Sequence, residues 1–262
     1  MRKLGIIGYG TIGRTVAEGV ARGEAGDTRL VAVLDVYNDP PYPRGPDSPA
    51  YFRELEAFLA ADIDTVLEAG SQAVLRQAAF AVLDHGHDLV ALSIGALADA
   101  DFYEGLRRRA IKHGREVYLP SGAVGGLDAL SAAAIAGLDS VVLTTTKPPQ
   151  ALPGVQAEAL PGPTCIYEGP AREAVKRFPQ NVNVAAAVSL AGIGFDRTTV
   201  RVVADPTATR NMHHIEARGR FGELTLEFRL LPSPGNPKTS YLAALSAIRL
   251  IRRLSEPVRI GA

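Results

Sequence analysis

The stretch Lys3-Leu4-Gly5-Ile6-Ile7-Gly8-Tyr9-Gly10-Thr11-Ile12-Gly13 places a G-x-G-x-x-G turn directly after a short apolar strand. Gly8 makes the tight turn, Gly10 allows the backbone to approach a pyrophosphate, and Gly13 packs the next helix on the strand. That helix begins near Thr11 and points its free N–H groups at the phosphates. We therefore expect a dinucleotide to contact Gly8, Gly10, Thr11, Ile12 and Gly13. The alternative is a glycine-rich turn that binds no ligand.

Asp35 ends the next apolar run, Leu30 to Leu34. A carboxylate at this point accepts hydrogen bonds from an adenosine ribose and repels a 2′-phosphate. Neither Val36 nor Tyr37 brings the positive charge that would attract that phosphate. The sequence therefore favours NAD as the cofactor, with NADP possible. Five prolines between Asn38 and Pro49 predict an exposed loop near the adenosine.

The composition excludes several classes of function. The 262 residues include 28 basic and 28 acidic side chains, so no net charge recommends nucleic acid or an anionic membrane as a partner. The single cysteine, Cys165, rules out an internal disulfide and has no companions for a metal site. No apolar run is long enough to span a bilayer, and no secretory cleavage pattern is present. We expect a cytoplasmic protein without a metal ion.

Alternating patterns organise the first half of the chain into a Rossmann-type parallel sheet. Strand-like runs fall at 3–8, 30–36, 64–68, 88–93 and 116–119, and helical patterns at 11–23, 50–61, 71–85 and 100–113. The second half predicts an α/β domain with a mixed, mostly antiparallel sheet, and its last helical pattern returns to the first domain. Its helical patterns fall at 127–136, 171–177, 182–190 and 238–254, and its strands at 141–146, 198–204, 212–218 and 223–231. The predicted domains are 1–120 for the dinucleotide, 121–237 for substrate and catalysis, and 238–262 for the terminal helix.

An adjacent histidine pair lies on one of the predicted strands. Successive side chains of a strand point to opposite faces, so one of His213 and His214 faces inward. His213 shares its face with Ile215 and Ala217, and is therefore the candidate catalytic group. The alternative is a buried histidine with a purely structural hydrogen bond. The three other histidines, at positions 85, 87 and 113, lie at predicted helix ends, where we expect exposed or capping side chains.

Three further segments carry polar or small residues that suit a ligand. Lys238, Thr239 and Ser240 place a cation and two hydroxyls at a predicted helix N-terminus, which suits a substrate carboxylate or a simple helix cap. The amides Asn181 and Asn183 begin another helix; one caps it, and the other can reach a nicotinamide carboxamide or a substrate. The small-residue stretch 121–126 follows the last parallel strand, where it lies against the nicotinamide or serves as a hinge.

The ordered series of motifs resembles the L-aspartate dehydrogenase family over essentially the whole chain. Besides the glycine turn, the matching motifs are Ser121–Gly126, Lys147-Pro148-Pro149, Phe178–Ala185, Arg210–His213, Gly219–Gly222 and Asn236–Ser240. The resemblance implies a homodimer that converts L-aspartate to iminoaspartate and then to oxaloacetate and ammonium, with a role in pyridine nucleotide biosynthesis. It implies that His213 is the catalytic histidine and that Ala123 and Asn183 contact the cofactor. Asn183 is preferred to Asn181 because of its spacing from the histidine.

The mechanism we expect binds L-aspartate between the domains with its α-hydrogen facing the nicotinamide. His213, with a pKa near neutrality, then activates the water that attacks the imine or shuttles the ammonium proton. Two alternatives remain at this point. One is a related two-domain reductase of another small dicarboxylate or imine, as in the homoserine dehydrogenase and dihydrodipicolinate reductase families. The other is a non-catalytic NAD-binding sensor.

Overall fold

A computed structural model describes residues 1–38, 48–152, 154–156, 160–178, 183–234, 236–258 and 260. The described chain divides into two compact units. The first comprises Met1–Pro120 together with Ala244–Ile260, and the second comprises Ser121–Ala243. The greater part of the predicted proline-rich loop after Asp35 falls at 39–47, outside the described residues.

The first unit is a parallel sheet with helical crossovers, as predicted. Within the described residues its six strands are β1 (Arg2–Ile7), β2 (Thr28–Leu34), β3 (Ala50–Phe52), β4 (Thr65–Glu68), β5 (Asp88–Ala91) and β6 (Val117–Tyr118). Its crossover helices are α1 (Thr11–Ala21), α2 (Leu55–Leu59), α3 (Gln72–Asp84) and α4 (Ala100–His113). The strand order β3-β2-β1-β4-β5-β6 reverses direction between β1 and β4. Ligands of such sheets bind at the carboxyl ends of the strands beside this reversal.

The second unit is a mixed sheet with short helices. Its elements are α5 (Leu127–Ala136), β7 (Leu138–Lys147), β8 (Thr164–Pro170), α6 (Ala171–Arg177), α7 (Asn183–Ala191), β9 (Thr199–Ala204), β10 (Asn211–Gly219), β11 (Gly222–Leu230), β12 (Pro232–Ser233) and β13 (Asn236–Ser240). The sheet order is β11-β10-β7-β9-β8, and β12 and β13 form a separate hairpin. Among these described strands β7 and β9 run parallel, and the remaining pairs are antiparallel. This confirms the prediction of a mostly antiparallel sheet.

The last helix, α8 (Tyr241–Ser255), packs on the first unit. Its buried residues Ala247, Ile248 and Ile251 belong to one cluster with Leu4 of β1 and Val16 of α1. These apolar residues recur at helical spacing, so they form an apolar stripe along one side of α8. The expectation that the terminal helix returns to the first unit is therefore confirmed.

Two predicted elements were wrong in type or extent, and one strand was not predicted. The helical pattern at 50–61 is instead the strand β3, which pairs with β2, followed by the short helix α2. The helix predicted from Lys238 begins at Tyr241, because Asn236–Ser240 form a strand that pairs with β12. The strand that was not predicted is β8, which pairs with β9. In each case pairing to a distant or adjacent strand overrides the local pattern.

The expectation of an exposed or capping side chain was wrong for His87. This side chain is buried, and its ring nitrogens lie 2.8 Å and 2.9 Å from the carbonyl oxygens of Ile63 and Leu59. His87 therefore joins the segment after α2 to the start of β5. No helix in the described part of the chain has the length and apolar character needed to cross a membrane.

Candidate functional site

The glycine turn after β1 has the geometry of a phosphate cradle. Gly8 adopts a φ of +91°, and a Cβ built on it would lie 2.8 Å from the Cα of Gly70. A Cβ on Gly13 would collide with the carbonyl oxygen of Gly8, so α1 closes tightly on the turn. At Gly10, by contrast, a Cβ would meet no atom of the described residues within 4 Å. The two outer glycines are required by the protein itself, while the space beside Gly10 fits a pyrophosphate.

Helix α1 begins at Thr11 without a side-chain cap. The geometry of an α-helix leaves its first N–H groups without acceptors inside the helix itself. They carry the positive end of the helix dipole and suit an anion. The residues present therefore fit the diphosphate of a dinucleotide.

Asp35 follows β2, and the protein itself uses its carboxylate. The carboxylate accepts hydrogen bonds from the backbone N–H of Tyr9 at 2.6 Å and of Tyr37 and Asn38 at 2.8 Å, and from Asn38 Nδ2 at 3.0 Å. Burial raises the pKa of Asp35, but these hydrogen bonds outweigh it and leave the pKa below its usual value. Asp35 thus ties the glycine turn to the chain after β2 and keeps a negative charge there.

Two arginines flank the same region. Arg53 donates to the carbonyl oxygen of Asp35 at 2.6 Å, and Arg14 donates to Tyr9 O at 2.9 Å and to Asn38 Oδ1 at 3.3 Å. Sequence reasoning examined only Val36 and Tyr37 for positive charge and missed both arginines, since neither is adjacent to Asp35 in the chain. Their presence is compatible with NADP as well as NAD.

A buried carboxyl group, which the sequence did not reveal, lies at the carboxyl end of β4. Glu68 accepts hydrogen bonds from Gly70 N at 2.9 Å, from Ser93 Oγ at 2.8 Å and from Ser93 N at 3.0 Å. Burial raises its pKa to about 7 in spite of these donors. Glu68 therefore fastens the loops after β4 and β5 together beside the glycine turn.

In the second unit, one face of the sheet collects the groups that can do chemistry. His213 on β10 lies directly opposite Thr145 on β7, and its Nδ1 is 3.1 Å from Thr145 Oγ1. Lys147 follows Thr145 by two residues and therefore shares its face. All three side chains are buried, with exposed fractions of 4% to 5%. Ile215 of β10 is buried on the same face, so the predicted inward orientation of His213 is what the structure has.

The titration of His213 differs from the neutral pKa expected from sequence. Burial, reinforced by the positive charge of Lys147, lowers the pKa of His213 to about 3. Burial likewise lowers the pKa of Lys147 to about 8. At neutral pH the imidazole is therefore uncharged and able to accept a proton. Because Thr145 engages Nδ1, Nε2 is the ring nitrogen that remains to exchange a proton with a ligand.

His214 lies on the opposite face of the same strand. Its side chain is 38% exposed, with Nε2 3.8 Å from a carboxylate oxygen of Glu216 and Nδ1 3.9 Å from one of Glu227. The alternation of β10 thus separates the two histidines completely. His214 therefore lies near two carboxylates on the face of the sheet opposite to His213.

The residues predicted to bind the substrate, Lys238, Thr239 and Ser240, lie on β13 rather than on a helix. Within the described residues Ser240 is buried, and its Oγ has no hydrogen-bond partner, as is also the case for Ser233 on β12. Lys238 is described only through the backbone of β13. The hairpin follows β11 directly. The last residue of β11, Leu230, pairs with Asn211 at the start of β10, and Asn211 is two residues from His213. A buried hydroxyl without a partner is a group that a ligand can satisfy.

The two cofactor contacts implied by the family resemblance also lie in the second unit. Ala123 is buried in the stretch before α5, and Asn183 is the exposed first residue of α7. Asn181 lies outside the described residues. Next to Ala123, a Cβ on Gly125 would come 3.7 Å from the ring of Phe228, which is paired with His213. This brings the 121–126 stretch toward the face of the sheet that carries His213.

Comparison with known proteins covers both units. A family model described as the C-terminal domain of aspartate dehydrogenase matches residues 128–254, and one described as the NAD-binding domain of homoserine dehydrogenase matches residues 8–120. The chain is 45% identical to the L-aspartate dehydrogenase of Methanosarcina mazei and 37% identical to that of Methanocaldococcus jannaschii. Each of these matches covers 100% of this chain and 100% of the relative.

Solved structures give the same grouping. The aspartate dehydrogenase of Thermotoga maritima superimposes with a TM-score of 0.82 at 28% identity, covering 100% of both chains. A dihydrodipicolinate reductase from Paenisporosarcina superimposes with a TM-score of 0.56 at 16% identity, covering 96% of this chain and 95% of the other. The second similarity is one of fold alone.

Proposed function

Because the chain belongs to the L-aspartate dehydrogenase family, we propose that it catalyses the NAD(P)-dependent oxidative deamination of L-aspartate and the reverse reductive amination. The observation that carries the proposal is the buried, uncharged imidazole of His213, held by Thr145 beside Lys147, in a chain whose first unit has a dinucleotide turn. In this proposal residues 1–120 bind the dinucleotide, residues 121–237 together with Lys238, Thr239 and Ser240 bind the substrate and carry the chemistry, and the terminal helix packs on the first unit.

The reaction has two balanced parts. The Cα–H bond of aspartate breaks, its electron pair leaves as hydride, and the nitrogen lone pair forms the C=N bond of iminoaspartate while an N–H proton is released. Water then adds to the imine carbon, and oxaloacetate and ammonium result. Bound NAD or NADP supplies the hydride acceptor.

The glycine turn and the start of α1 bind and orient the dinucleotide. We assign the diphosphate to Gly8, Gly10, Thr11, Ile12 and Gly13, and support for this is the open space beside Gly10. Orienting two reactants correctly contributes on the order of 7–11 kcal/mol to lowering a barrier. We assign Asp35 to the adenosine ribose of the cofactor. Ala123 and Asn183 are assigned as further cofactor contacts.

His213 moves the proton of the hydrolytic step. In the tautomer that this role needs, Nδ1–H donates to Thr145 Oγ1 and Nε2 is a free acceptor for a proton of the attacking water. In the reverse direction the same nitrogen returns that proton. Burial keeps the ring uncharged before substrate arrives, which supports a base rather than a fixed cation.

The substrate carboxylates need donors or cations. We assign Lys238, Thr239 and Ser240 to one of them, and the buried, unpartnered hydroxyl of Ser240 among the described residues supports this assignment. No cluster of metal-ligating side chains is present in the described part of the chain. The proposal includes a homodimer in the cytoplasm. Light scattering tests the homodimer by measuring the molar mass in solution, which should be twice the mass of one chain.

The function is tested by following oxidation of NADH and of NADPH in the presence of oxaloacetate, with and without ammonium. We expect a signal that requires ammonium, because the imine forms only when ammonia is present. A signal of equal size without ammonium would identify a hydroxy-acid dehydrogenase and overturn the proposal. Comparing the two cofactors in the same assay also measures their relative use.

Replacing His213 tests the catalytic assignment. We expect His213→Ala to lower aspartate turnover by about two to four orders of magnitude, because general acid–base catalysis is lost, while NAD affinity stays nearly unchanged. The matched control is His214→Ala on the opposite face of β10, which should keep wild-type turnover. A comparable loss in the His214 variant, or unchanged turnover in the His213 variant, would reject the assignment.

A further inference from the structure

The carboxylate of Asp35 is engaged by donors of the protein itself. Its Oδ1 accepts hydrogen bonds from the backbone N–H groups of Tyr37 and Asn38. Its Oδ2 accepts from the backbone N–H of Tyr9 and from Asn38 Nδ2. A carboxylate offers about four acceptor positions, shared between its two oxygens. The protein's own donors therefore fill these positions, and a ribose hydroxyl could bond to Asp35 only by displacing one of them.

Asp35 consequently acts on the adenosine ribose through the groups that it holds. Its bond to the N–H of Tyr9 fixes the glycine turn, and its bonds to Asn38 fix the first residues after β2. In a sheet of this type the adenosine ribose lies at the end of the second strand. Discrimination at the 2′ position of that ribose then depends on other side chains that reach these residues.

Arg14 on α1 is a side chain that does so. Its Nε donates to Tyr9 O at 2.9 Å, and its Nη2 donates to Asn38 Oδ1 at 3.3 Å. Its guanidinium carbon lies 5.9 Å from the centre of the Tyr9 ring. The side chain thus joins the glycine turn, which is assigned to the diphosphate, to the residues that follow β2.

The charge of Arg14 is available to an anion. Both of its hydrogen bonds go to uncharged oxygens, one of a carbonyl and one of an amide, and among the described residues it forms no ion pair. The side chain is exposed, and Nη1 takes part in neither bond. A second guanidinium, that of Arg53, donates to Asp35 O at 2.6 Å. Two cations therefore flank the carboxylate of Asp35, whose negative charge is further offset by its N–H donors.

We propose that Arg14 binds the 2′-phosphate of NADP and sets the affinity of the chain for NADP relative to NAD. This inference rests on the proposed function, because it takes the dinucleotide to lie along the glycine turn. A phosphate accepts charge-assisted hydrogen bonds from the planar fork of a guanidinium. NAD carries an uncharged hydroxyl at the same position, which gains much less from the cation. Asp35, to which the sequence assigns the choice of NAD, shapes the site for both cofactors alike.

The first test replaces Arg14 with Gln and measures the dissociation constants of NADPH and NADH by calorimetry. We expect the constant for NADPH to rise about 10- to 100-fold and that for NADH to change less than about threefold, as for loss of a charge-assisted hydrogen bond to the phosphate alone. Arg14→Lys keeps the charge without the fork, so its constant for NADPH should lie between those of the wild type and Arg14→Gln. The control is Arg22→Gln just after α1, where the guanidinium pairs with Glu24, and it should change neither constant.

The second test, Asp35→Asn, separates the two groups that could set the preference. Asparagine replaces one acceptor oxygen with an NH₂ group that faces N–H donors, so both cofactors should lose affinity by the same factor. If Asp35 instead repelled the 2′-phosphate and accepted from the ribose, this variant would bind NADPH more tightly and NADH less tightly. That result would overturn the proposal. Equal weakening of both cofactors in Arg14→Gln, or unchanged NADPH binding in that variant, would also overturn it.

A pair of nucleotides tests the contact without turnover and so separates this inference from the proposed function. Adenosine 2′,5′-bisphosphate and adenosine 5′-monophosphate differ only in the 2′-phosphate. In calorimetry the wild type should bind the bisphosphate more tightly, and this advantage should shrink about tenfold or more in Arg14→Gln and decrease with added salt. An advantage of equal size in both proteins would overturn the proposal. Absence of ammonium-dependent turnover in a wild type that shows the advantage would overturn only the proposed function.

Discussion

The carboxyl group of Glu68 predicts an unusual pH dependence of stability. Burial raises its pKa in the folded protein from 4.5 to about 7. Between these values the folded carboxyl group keeps a proton that the unfolded chain has released, so the folded state binds more protons. The contribution to stability is therefore fully present below about pH 4.5 and is lost as the pH rises through about 7.

The magnitude follows from the same two values. A rise from 4.5 to about 7 corresponds to about 3 kcal/mol of folding free energy, at 1.36 kcal/mol per pKa unit. In Glu68→Gln this titration is absent. The glutamine keeps an acceptor for Gly70 N and Ser93 Oγ but turns its NH₂ group toward Ser93 N, which costs a nearly constant amount at every pH. The wild type should therefore lose about 3 kcal/mol relative to the variant between pH 4.5 and pH 8.

Urea unfolding followed by circular dichroism at pH 5, 6, 7 and 8 measures this difference. Other titrating groups cancel because they are common to both proteins. Glu54→Gln, at an exposed glutamate of the same unit, is the control and should show a constant difference from the wild type. A difference between wild type and Glu68→Gln that does not vary with pH would refute the reasoning.

Two further predictions concern the first unit. Gly10→Ala should leave the free energy of unfolding unchanged within about 1 kcal/mol. It should raise the NADH dissociation constant more than about tenfold, because the added methyl group takes the space assigned to the pyrophosphate. Unchanged NADH binding in calorimetry would remove Gly10 from the site. Ile251→Ala should cost about 2–5 kcal/mol of unfolding free energy, because the fully buried side chain leaves a cavity. Leu245→Ala, at a 37% exposed position of the same helix, is its control, and an equal loss in urea unfolding would contradict the described packing.

The parts of the fold that the sequence predicted well are those specified by local pattern. The glycines of the first turn, the apolar stripe of α8 and the alternation around His213 each depend on residues close together in the chain. These features led to the parallel sheet, to the returning helix and to the inward face of β10. The resemblance added the reaction and the cofactor contacts.

The features that the sequence did not reveal depend on residues far apart in the chain. Glu68 lies at the end of an ordinary apolar strand, and its buried state depends on Ser93, which the fold brings beside it. Lys147 ends a strand, a position where lysine is commonly exposed, and the shift in its pKa is produced by burial. Strand β8 is held by its pairing with β9. The periodicity of a short stretch of sequence cannot predict such burial or strand pairing, because both depend on residues that are distant in the chain.

The packing of α8 on the first unit has a consequence for how the protein is made. The ribosome completes residues 1–120 long before it adds Ile248 and Ile251, which fill the same core as Leu4 and Val16. Until then the apolar side chains of the first unit that α8 covers remain exposed to solvent in the nascent chain. A fragment that ends at residue 120 would leave this apolar surface permanently exposed to solvent, so the first unit needs the C-terminal segment to complete its core.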